Sequence, residues 1–348
     1  MKIYALGQRG GETYDAAGKA IADVYAVLKE FGAQVIWNVP KHSHKLIKIL
    51  DLPYLIFFLL FCVGREDYVF FSIPENGLKI RLIDKIKRIK HYKVVCFIND
   101  INAFRYGDFS SEQVQDTMRQ EIALIRTADI IVAPNENTVK LFQSYGIKSK
   151  MIATGVWDYL LDEFHPEDKK AFAEPGKYHI AFAGNLNKSD FLMNLKPVEN
   201  VTFELWGKLD DERKQRLPQC CEYHGVLTAA EVPDAISWCD LGLVWDGTGA
   251  DTIEGGLGEY LRYNNSHKCG LYLAAEIPVI VWKESGMAHF VERMECGIAI
   301  DSLQQLASQI QNCNLNQLKD HAKKVGDRIR RGDFLRAAFE KAFELEGK

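Results

Sequence analysis

Short runs of apolar, β-prone residues alternate with longer amphipathic segments along most of this 348-residue chain. In the N-terminal half the strand-like runs are residues 3–6, 34–37, 68–71, 94–98 and 130–133. The helical patterns between them cover residues 15–31, 112–127 and 136–145. Uninterrupted apolar runs of this length are typical of strands buried on both faces, and helices between them make the strands parallel. The pattern predicts an α/β domain with a doubly wound sheet.

A polar stretch at residues 162–176 contains two prolines and interrupts this alternation. Beyond it the strand-like runs are residues 178–182, 201–205, 241–245, 277–281 and 297–300, with helical patterns at 229–239, 267–275, 286–294 and from 302 onward. We therefore expect two doubly wound Rossmann-like domains, residues 1–160 and 177–330, joined by a linker. Residues 331–348 form a C-terminal helix that could pack back on the N-terminal domain. The carboxyl ends of both sheets would face a central cleft, where ligands bind.

The composition is that of a globular protein, with 47% hydrophobic and 26% charged residues. The eight cysteines include no CxxC pair, no Cys/His spacing is typical of a zinc site, and no secretory apolar segment begins the chain. We therefore expect reduced thiols, a cytoplasmic location and no bound metal. The net charge is +5 over residues 1–150 and −9 over the remainder. The basic half fits an anionic surface or acceptor, or ordinary scatter of surface charge, and we expect no nucleic-acid partner.

One apolar run, residues 52–63, stands out by its 12-residue length. It is well short of the roughly 20 residues that cross a bilayer, so a helix of the core is the favoured interpretation. Basic segments at residues 41–48 and 79–93 flank it and leave peripheral contact with the inner face of a membrane open. The same helix could also be buried in a homo-oligomer.

Two loops of the N-terminal domain carry candidate acceptor-side residues. The loop Gly7–Thr13 lacks the GxGxxG spacing of a dinucleotide fingerprint, so NAD binding is not predicted. Its Gly10 and Gly11, with Thr13, either let a substrate approach the backbone closely or form a tight βα turn. After the fourth strand, Asp100 is expected at the sheet edge as a general base, with Glu12 and Asp108 as rivals. Arg105 belongs to the acceptor side, or pairs with a carboxylate structurally.

The C-terminal domain carries a pattern that is typical of diphosphate binding. A glycine-rich loop (Gly247, Gly249, Gly255, Gly256) precedes a helix that begins near Lys268, and Gly184 and Lys188 follow the first strand of this domain. Backbone amides at a helix start and two cations stabilise a diphosphate leaving group without a metal. Asp246, Glu259, Tyr260, Asn264 and Asn265 offer hydrogen-bonding groups of the kind that bind sugars. Trp245 and Trp282 are expected in the core.

Three segments resemble, in the same order, the bacterial β-galactofuranosyltransferases of O-antigen and capsule assembly. They are Phe97–Arg105, Ala183–Lys188 and Trp245–Trp282. A more distant resemblance is to the glucosyltransferases that extend GlcNAc on serine-rich streptococcal adhesins. That likeness is carried by the strand-four aspartate and by the segments Val132–Gly146, Gly155–Asp158 and Ser266–Val281.

The resemblance implies a GT-B glycosyltransferase that uses UDP-galactofuranose. By it, Lys188 and Lys268 bind the diphosphate, Gly184 and Asn185 line its path, and the segment Cys221–Leu227 with Val226 contacts the uracil. The chain departs from its relatives in two places. Asn99-Asp100 replaces a His-Asp pair, and Glu276 occupies a position that is often glycine.

Together these observations predict an inverting, metal-independent hexosyltransferase of cell-surface polysaccharide synthesis. Asp100 would deprotonate a hydroxyl of a glycan or glycolipid acceptor, and the UDP-sugar would be a substrate, with no cofactor. Two alternatives stay open. One is a UDP-glucose transferase that acts on a glycosylated protein, and the other is a non-catalytic UDP-sugar-binding subunit that assists another transferase.

Overall fold

The computed structural model describes residues 1–7, 16–36, 45–105, 110–168, 172, 174, 176–253 and 255–345. At residues 16, 17, 45–49, 105 and 257 only the backbone is described. Contacts divide the chain into two compact units. We call residues 1–13, 21–154 and 335–348 the N-terminal unit, and residues 14–20 and 155–334 the C-terminal unit.

The N-terminal unit contains a six-stranded parallel sheet in the order β2-β1-β3-β4-β5-β6 among the described residues. Its strands are β1 Ile3–Leu6, β2 Gln34–Ile36, β3 Tyr68–Ile73, β4 Lys93–Ile98, β5 Ile130–Ala133 and β6 Lys150–Ala153. The helices between them are α1 Ala16–Glu30, α2 Lys45–Phe61, α3 Gly77–Lys90, α4 Asn102–Arg105, α5 Glu112–Ile125 and α6 Glu136–Ser144. Strands β3 and β4 pair over their full length, from Tyr68 opposite Lys93 to Ile73 opposite Ile98.

The C-terminal unit repeats this architecture with the strand order β12-β11-β10-β7-β8-β9. Its strands are β7 Tyr178–Ala183, β8 Val201–Trp206, β9 Cys221–Tyr223, β10 Leu241–Val244, β11 Val279–Trp282 and β12 Gly297–Ile300. Its helices are α7 Asp211–Gln215, α8 Val232–Ile236, α9 Gly256–Tyr260, α10 His267–Ala274, α11 Ala288–Met294, α12 Leu306–Asn312 and α13 Leu315–Arg331. Short 3-10 turns cover Leu186–Lys188, Asp190–Asn194 and Leu303–Gln305.

The prediction of two doubly wound parallel sheets is confirmed, and each predicted strand is present. Strand β6 and helices α3, α4, α7 and α9 were missed. Strand β6 is only four residues long and half exposed, so its sequence lacks an apolar run. Helix α3 buries Ile80, Ile83 and Ile86, but the many cations between them hide this stripe in the sequence. Strand β11 begins at Val279 rather than at residue 277, because Pro278 has no backbone N–H to donate.

Helix α2 contains the apolar run of residues 52–63 and is only half a core helix. Leu55 and Leu59 are buried, whereas Phe57 is 57% exposed and Phe61 is 72% exposed. The predicted core helix is therefore confirmed for one face only. Among the described helices, none is long and apolar enough to cross a bilayer.

The last helix, α14 (Asp333–Ala342), packs with the segment that follows it in the core of the N-terminal unit. The Phe339 ring lies 5.9 Å from the rings of Phe70 and Phe97, centroid to centroid. Phe343 contacts Tyr68 edge to face at 5.3 Å. Because Phe339 and Phe343 are fully buried, this helix completes the hydrophobic core above β3 and β4.

In both sheets the strand order reverses direction at one point. In the C-terminal unit the chain moves outward from β7 through β8 to β9, and then returns to the other side of β7 with β10. In the N-terminal unit the corresponding point lies between β1 and β3. Loops on either side of such a reversal diverge and leave a crevice at the carboxyl ends of the strands, where ligands of these folds bind.

The turn after α10 explains the unusual glutamate at position 276. Glu276 has a φ of 63°, the left-handed conformation that favours glycine. Its carboxylate lies 2.9 Å from the guanidinium of Arg330 and 3.3 Å from Nζ of Lys323, both on α13. The side chain therefore ties α13 to the turn, and these ion pairs offset the cost of the backbone conformation.

We expect Glu276→Ala to lower the free energy of unfolding more than Glu276→Gly does. Both changes remove the two ion pairs, but only glycine relieves the left-handed backbone, by about 1 kcal/mol. Denaturant unfolding of the two variants measures the difference. Glu295 is a matched control, because it also has a positive φ and its partner is the half-buried His321. Equal losses for Glu276→Ala and Glu276→Gly would show that the backbone carries no strain.

Candidate active site

Tyr272 fixes the position of helix α10 at the carboxyl end of β7. Its hydroxyl accepts a hydrogen bond of 2.9 Å from the backbone N–H of Ala183, the last residue of β7. The ring lies against Gly242 of β10, where an added Cβ would come within 2.3 Å of it. Burial raises the pKa of Tyr272 far above its ordinary value, so the phenol stays protonated. The helix is thus attached to both central strands of the sheet.

Lys268 lies one turn before Tyr272 on the same face of α10. Its ammonium is 5.1 Å from the centre of the Phe182 ring and 3.6 Å from a carboxylate oxygen of Asp246. A Cβ added at Gly184 would lie 3.4 Å from Cε of Lys268. Three predicted donor residues, Gly184, Asp246 and Lys268, therefore meet between the ends of β7 and β10. This is the point at which the strand order reverses.

The residue before Lys268 adds no positive charge to this place. His267 begins α10, and burial, with a smaller contribution from Lys19, lowers the pKa of His267 to about 3. Its imidazole is therefore neutral at physiological pH. The first backbone N–H groups of a helix have no acceptor within the helix. Lys268 thus supplies a cation beside amides that can donate to an anion.

Three glycines interlock the loops that follow β7, β8 and β9. Gly184 N–H donates to the carbonyl of Trp206 at 3.0 Å, and Gly207 N–H donates to the carbonyl of Gly225 at 2.8 Å. A Cβ at Gly207 would lie 1.7 Å from the Gly184 carbonyl oxygen, and its φ is 134°. No local sequence pattern marks Gly207. The GxG-like spacing that marks such loops is absent, because the contact joins different strands.

Three further predicted donor residues, Asn185, Lys188 and Val226, are exposed at the same edge of the sheet. Asn185 and Lys188 follow β7, and the backbone N–H of Lys188 donates to the Asn185 carbonyl at 3.1 Å. Val226 follows β9 and is 58% exposed. These positions leave the backbone after β7 and β9 accessible to a ligand.

Among the predicted sugar-binding residues of the glycine-rich segment, Glu259 is held in an ion pair, whereas Tyr260 and Asn265 are buried. Glu259 binds Arg262 at 2.6 Å, and Arg262 also contacts Glu284 and lies over the Trp282 ring. Tyr260 and Asn265 are buried. Trp245 and Trp282 are also buried, which confirms their predicted place in the core.

One group of potential metal ligands occurs among the described residues, Glu204 with Glu222 and His224. Glu204 is buried, and its two oxygens lie 2.7 Å from Nδ1 of His179 and 2.6 Å from Nε2 of His224. His224 in turn stacks on Trp206 at 4.6 Å. A carboxylate bonded to an imidazole through each oxygen fits a structural hydrogen-bond chain that joins β7, β8 and the turn after β9.

On the N-terminal unit, Asp100 lies directly after β4. The backbone N–H groups of Asn99 and Asp100 donate to the Ile73 carbonyl, and the Asp100 carboxylate accepts from the N–H of Ile101 at 3.1 Å. The side-chain oxygen of Asn99 is buried and has no hydrogen-bond partner within the described ranges. The turn after β4 therefore carries a carboxylate next in sequence to a buried amide oxygen.

Glu121 of α5 is a carboxylate beside this turn that the sequence does not predict. It accepts hydrogen bonds from the N–H groups of Asn102 and Ala103 and so caps α4, which follows Asp100. Burial, with a smaller contribution from Asp100, raises the pKa of Glu121. No local pattern marks this residue, because its partners lie about a helix and a loop away in sequence.

The other residues predicted for the acceptor side lie wholly or partly outside the described part of the chain. Gly10, Gly11 and Thr13 lie outside the described residues, as do the rival carboxylates Glu12 and Asp108. For Arg105 the backbone belongs to α4, but its side chain is outside the described part.

Comparison with known protein families identifies the family to which both halves of the chain belong. The model of the glucosyltransferase 3-like N-terminal domain matches residues 2–156, and that of the glucosyltransferase 3-like C-terminal domain matches residues 180–342. The chain belongs to the glucosyltransferase 3-like family. This confirms the predicted resemblance and identifies a glycosyltransferase.

Two curated relatives of this glycosyltransferase correspond to the two groups of enzymes that the sequence resembles, the galactofuranosyltransferases and the glucosyltransferases. The β-1,6-galactofuranosyltransferase WbbI of Escherichia coli strain K12 is 25% identical over 98% of both chains. Glucosyltransferase 3 of Streptococcus gordonii is 26% identical over 78% of this chain and 76% of its own length.

Solved structures confirm the GT-B fold. HepE of Anabaena, crystallised with UDP, has a TM-score of 0.60 at 15% identity, over 99% of this chain and 100% of its own. Sucrose-phosphate synthase of Thermosynechococcus elongatus has a TM-score of 0.59 at 14% identity, over 99% and 97%.

We expect Gly207→Ala to destabilise the glycosyltransferase by several kcal/mol, about the cost of a forced backbone shift at a strained position. The added methyl group would collide with the Gly184 carbonyl. Gly176→Ala is the matched control, since Gly176 also has a positive φ but no atom of the described residues within 4 Å of an added Cβ. Thermal unfolding of both variants measures the difference. Similar losses for the two would mean that the loops after β7 and β8 can separate at little cost.

Proposed function

We propose that this glycosyltransferase transfers galactofuranose from UDP-galactofuranose to a hydroxyl of a glycan or glycolipid acceptor in cell-surface polysaccharide synthesis. The reaction inverts the anomeric centre and uses no metal. The observation that carries the proposal is the position of Lys268, held by the Tyr272 hydroxyl between Gly184 and Asp246. A cation beside helix-end amides at the reversal point of the sheet fits a diphosphate.

The C-terminal unit holds the donor in this proposal. Lys268 exchanges its Asp246 partner for the diphosphate, and Gly184 lets the phosphates approach the backbone because no side chain stands in the way. Lys188 and Asn185 follow on the same loop, and the exposed turn at Val226 receives the uracil. Lys188, Lys268 and the first amides of α10 take up the negative charge as the bond between the anomeric carbon and the UDP oxygen breaks.

The N-terminal unit supplies the acceptor chemistry. Asp100 takes the proton from the acceptor hydroxyl while the hydroxyl oxygen forms the new bond to the anomeric carbon. Glu121 holds the turn in place through its cap on α4. Asn99 precedes Asp100 in this turn, and its side-chain oxygen is buried without a hydrogen-bond partner among the described residues. A histidine at this position could share the proton, whereas asparagine leaves Asp100 as the base.

The choice of galactofuranose rests on the relative that spans the full length of both chains, a β-1,6-galactofuranosyltransferase. UDP-glucose is the second candidate donor, with a glycosylated protein as acceptor. It is favoured by the family models and by the glucosyltransferase 3 relatives, and HepE has been crystallised with UDP-glucose.

A donor screen tests the proposal. We expect acceptor-dependent release of UDP from UDP-galactofuranose, and Lys268→Ala should lower kcat/KM by about 100-fold or more, as for loss of one charge-stabilising group. Lys283→Ala is a matched control. Its ammonium also lies 3.6 Å from an aspartate, Asp301, but on the exposed surface. Turnover of UDP-glucose alone would reassign the donor. UDP binding with no turnover of either donor would indicate a non-catalytic subunit.

Asp100→Asn should lower kcat for transfer by about 10²- to 10⁴-fold, because the amide cannot take the acceptor proton. Binding of UDP, measured by calorimetry, should not change, since the donor residues lie in the other unit. Asp116→Asn is the control, an exposed carboxylate on α5 of the same unit. If Asp100→Asn retains full transfer activity, another group is the base.

A further inference from the structure

Helices α2 and α3 lie side by side and run in the same direction. Lys79, near the start of α3, forms an ion pair of 2.8 Å with Asp51 in the first half of α2. Lys90, the last residue of α3, donates to the carbonyl of Leu60 near the end of α2 at 2.7 Å. Because contacts join the helices at both places, their outer faces form one continuous surface, which we call the α2/α3 face.

This face carries most of the exposed apolar side chains of the described residues. Six of the ten large apolar side chains that are exposed lie on these two helices. They are Leu50, Ile56, Phe57, Phe61, Leu78 and Ile89. Such concentration marks an interaction surface, whereas single exposed apolar residues are ordinary.

Two phenylalanines form the most prominent part of the face. Phe57 and Phe61 are one helical turn apart, and their ring centres are 5.0 Å from each other. Leu50 lies two turns before Phe57 on the same side and is 57% exposed. On the opposite side of α2, Leu55 and Leu59 are buried, so the helix is apolar on both its inner and outer surfaces.

A row of cations on α3 accompanies these apolar residues. Arg81, Lys85 and Arg88 are exposed and follow one another at intervals of four and three residues, which places them on one side of the helix. Arg88 is paired with Asp84, the one acidic residue of α3. The face is therefore apolar along α2 and positively charged along α3.

The positive charge continues past the end of α3. Lys87, Arg88, Lys93 and Lys150 line a cavity of about 540 Å³ beside the first residues of β4 to β6, together with Asp129 and Glu344. Lys87 is bound to Asp129 at 2.6 Å and Lys93 to Glu344 at 2.8 Å. Because the four cations outnumber the two carboxylates, the lining is net positive. This region is at the same end of the helix pair as Phe61.

We propose that the α2/α3 face binds the surface of an anionic lipid bilayer, with Phe57 and Phe61 inserted among the acyl chains and the cations of α3 against the lipid phosphates. An apolar stripe flanked by basic residues is the pattern of helices that lie in the plane of the interface. A symmetric contact with a second copy would bring two such cation rows into one interface, where like charges repel. This binding goes beyond the proposed transfer reaction and does not depend on it.

Sedimentation with vesicles tests the proposal on the full chain. We expect binding to phosphatidylcholine vesicles that contain phosphatidylglycerol, weakening as salt is added. Phe57→Ser with Phe61→Ser should weaken it by about tenfold or more. Arg81→Gln with Lys85→Gln should weaken it by about fivefold for each cation. Val35→Ser and Lys140→Gln with Lys324→Gln, also exposed positions, should change binding by less than about twofold.

A fluorescent label reports insertion directly. Cys62 follows Phe61 and is the exposed member of the eight free cysteines. An environment-sensitive fluorophore on Cys62 should shift to the blue with anionic vesicles, whereas the same label on the Lys324→Cys variant that also carries Cys62→Ser should not. Absence of sedimentation with anionic vesicles, or equal binding to vesicles of phosphatidylcholine alone, would overturn the proposal. A dimer that Phe57→Ser with Phe61→Ser converts to a monomer would assign the face to a second copy instead.

UDP binding separates this proposal from the proposed function. Each variant of the α2/α3 face should bind UDP as the unchanged chain does, because none of these residues belongs to the donor site. Loss of vesicle binding with UDP binding intact would support the membrane face whatever the donor sugar is. Loss of both in the same variant would indicate a folding defect, which thermal unfolding detects.

Discussion

The hydrogen bond between the Tyr272 hydroxyl and the Ala183 N–H is the interaction on which the candidate donor site depends. It brings α10 to the carboxyl end of β7, and Lys268 lies one turn before Tyr272 on the same helix face. The approach is possible because neighbouring positions lack side chains. A Cβ at Gly270 would lie 2.2 Å from the Trp157 carbonyl, and one at Gly242 would meet the Tyr272 ring. A buried N–H left without this partner would cost about 1–3 kcal/mol, so the helix position is strongly fixed.

The surroundings of Lys268 fit the anion-binding role that we propose for it. Its stem lies against the Phe182 ring and Gly184, which removes part of its conformational freedom before any ligand binds. Asp246 faces the ammonium at 3.6 Å, longer than a direct hydrogen bond. A diphosphate carries more negative charge than one carboxylate and can also accept from the amides of α10. The lysine is therefore held in place by apolar contact and can change its ionic partner.

Sequence reasoning predicted what local chemistry determines and missed what distant contacts determine. Lys268 and Gly184 were predicted because each lies next to the element that gives it meaning. Gly184 directly follows a strand, and Lys268 lies at the start of a helix. Gly207 was missed because its constraint comes from the Gly184 carbonyl, across to the neighbouring strand. Glu121 was missed for the same reason. The apolar run of α2 was recognised, but composition alone could not tell that Phe57 and Phe61 point away from the core.

The doubly wound architecture separates the two functions that we propose for the N-terminal unit. Its helices cover the faces of the sheet, whereas the loops after its strands carry candidate residues such as Asp100 at the carboxyl edge. A bilayer bound to the outer side of α2 and α3 therefore contacts a face and leaves that edge accessible. The two surfaces also place different demands on the sequence. The edge needs a few polar groups in fixed geometry, whereas the face needs only apolar area and positive charge. Apolar residues of the face can therefore be exchanged for one another. The polar residues of the turn at Asp100 cannot be exchanged in this way.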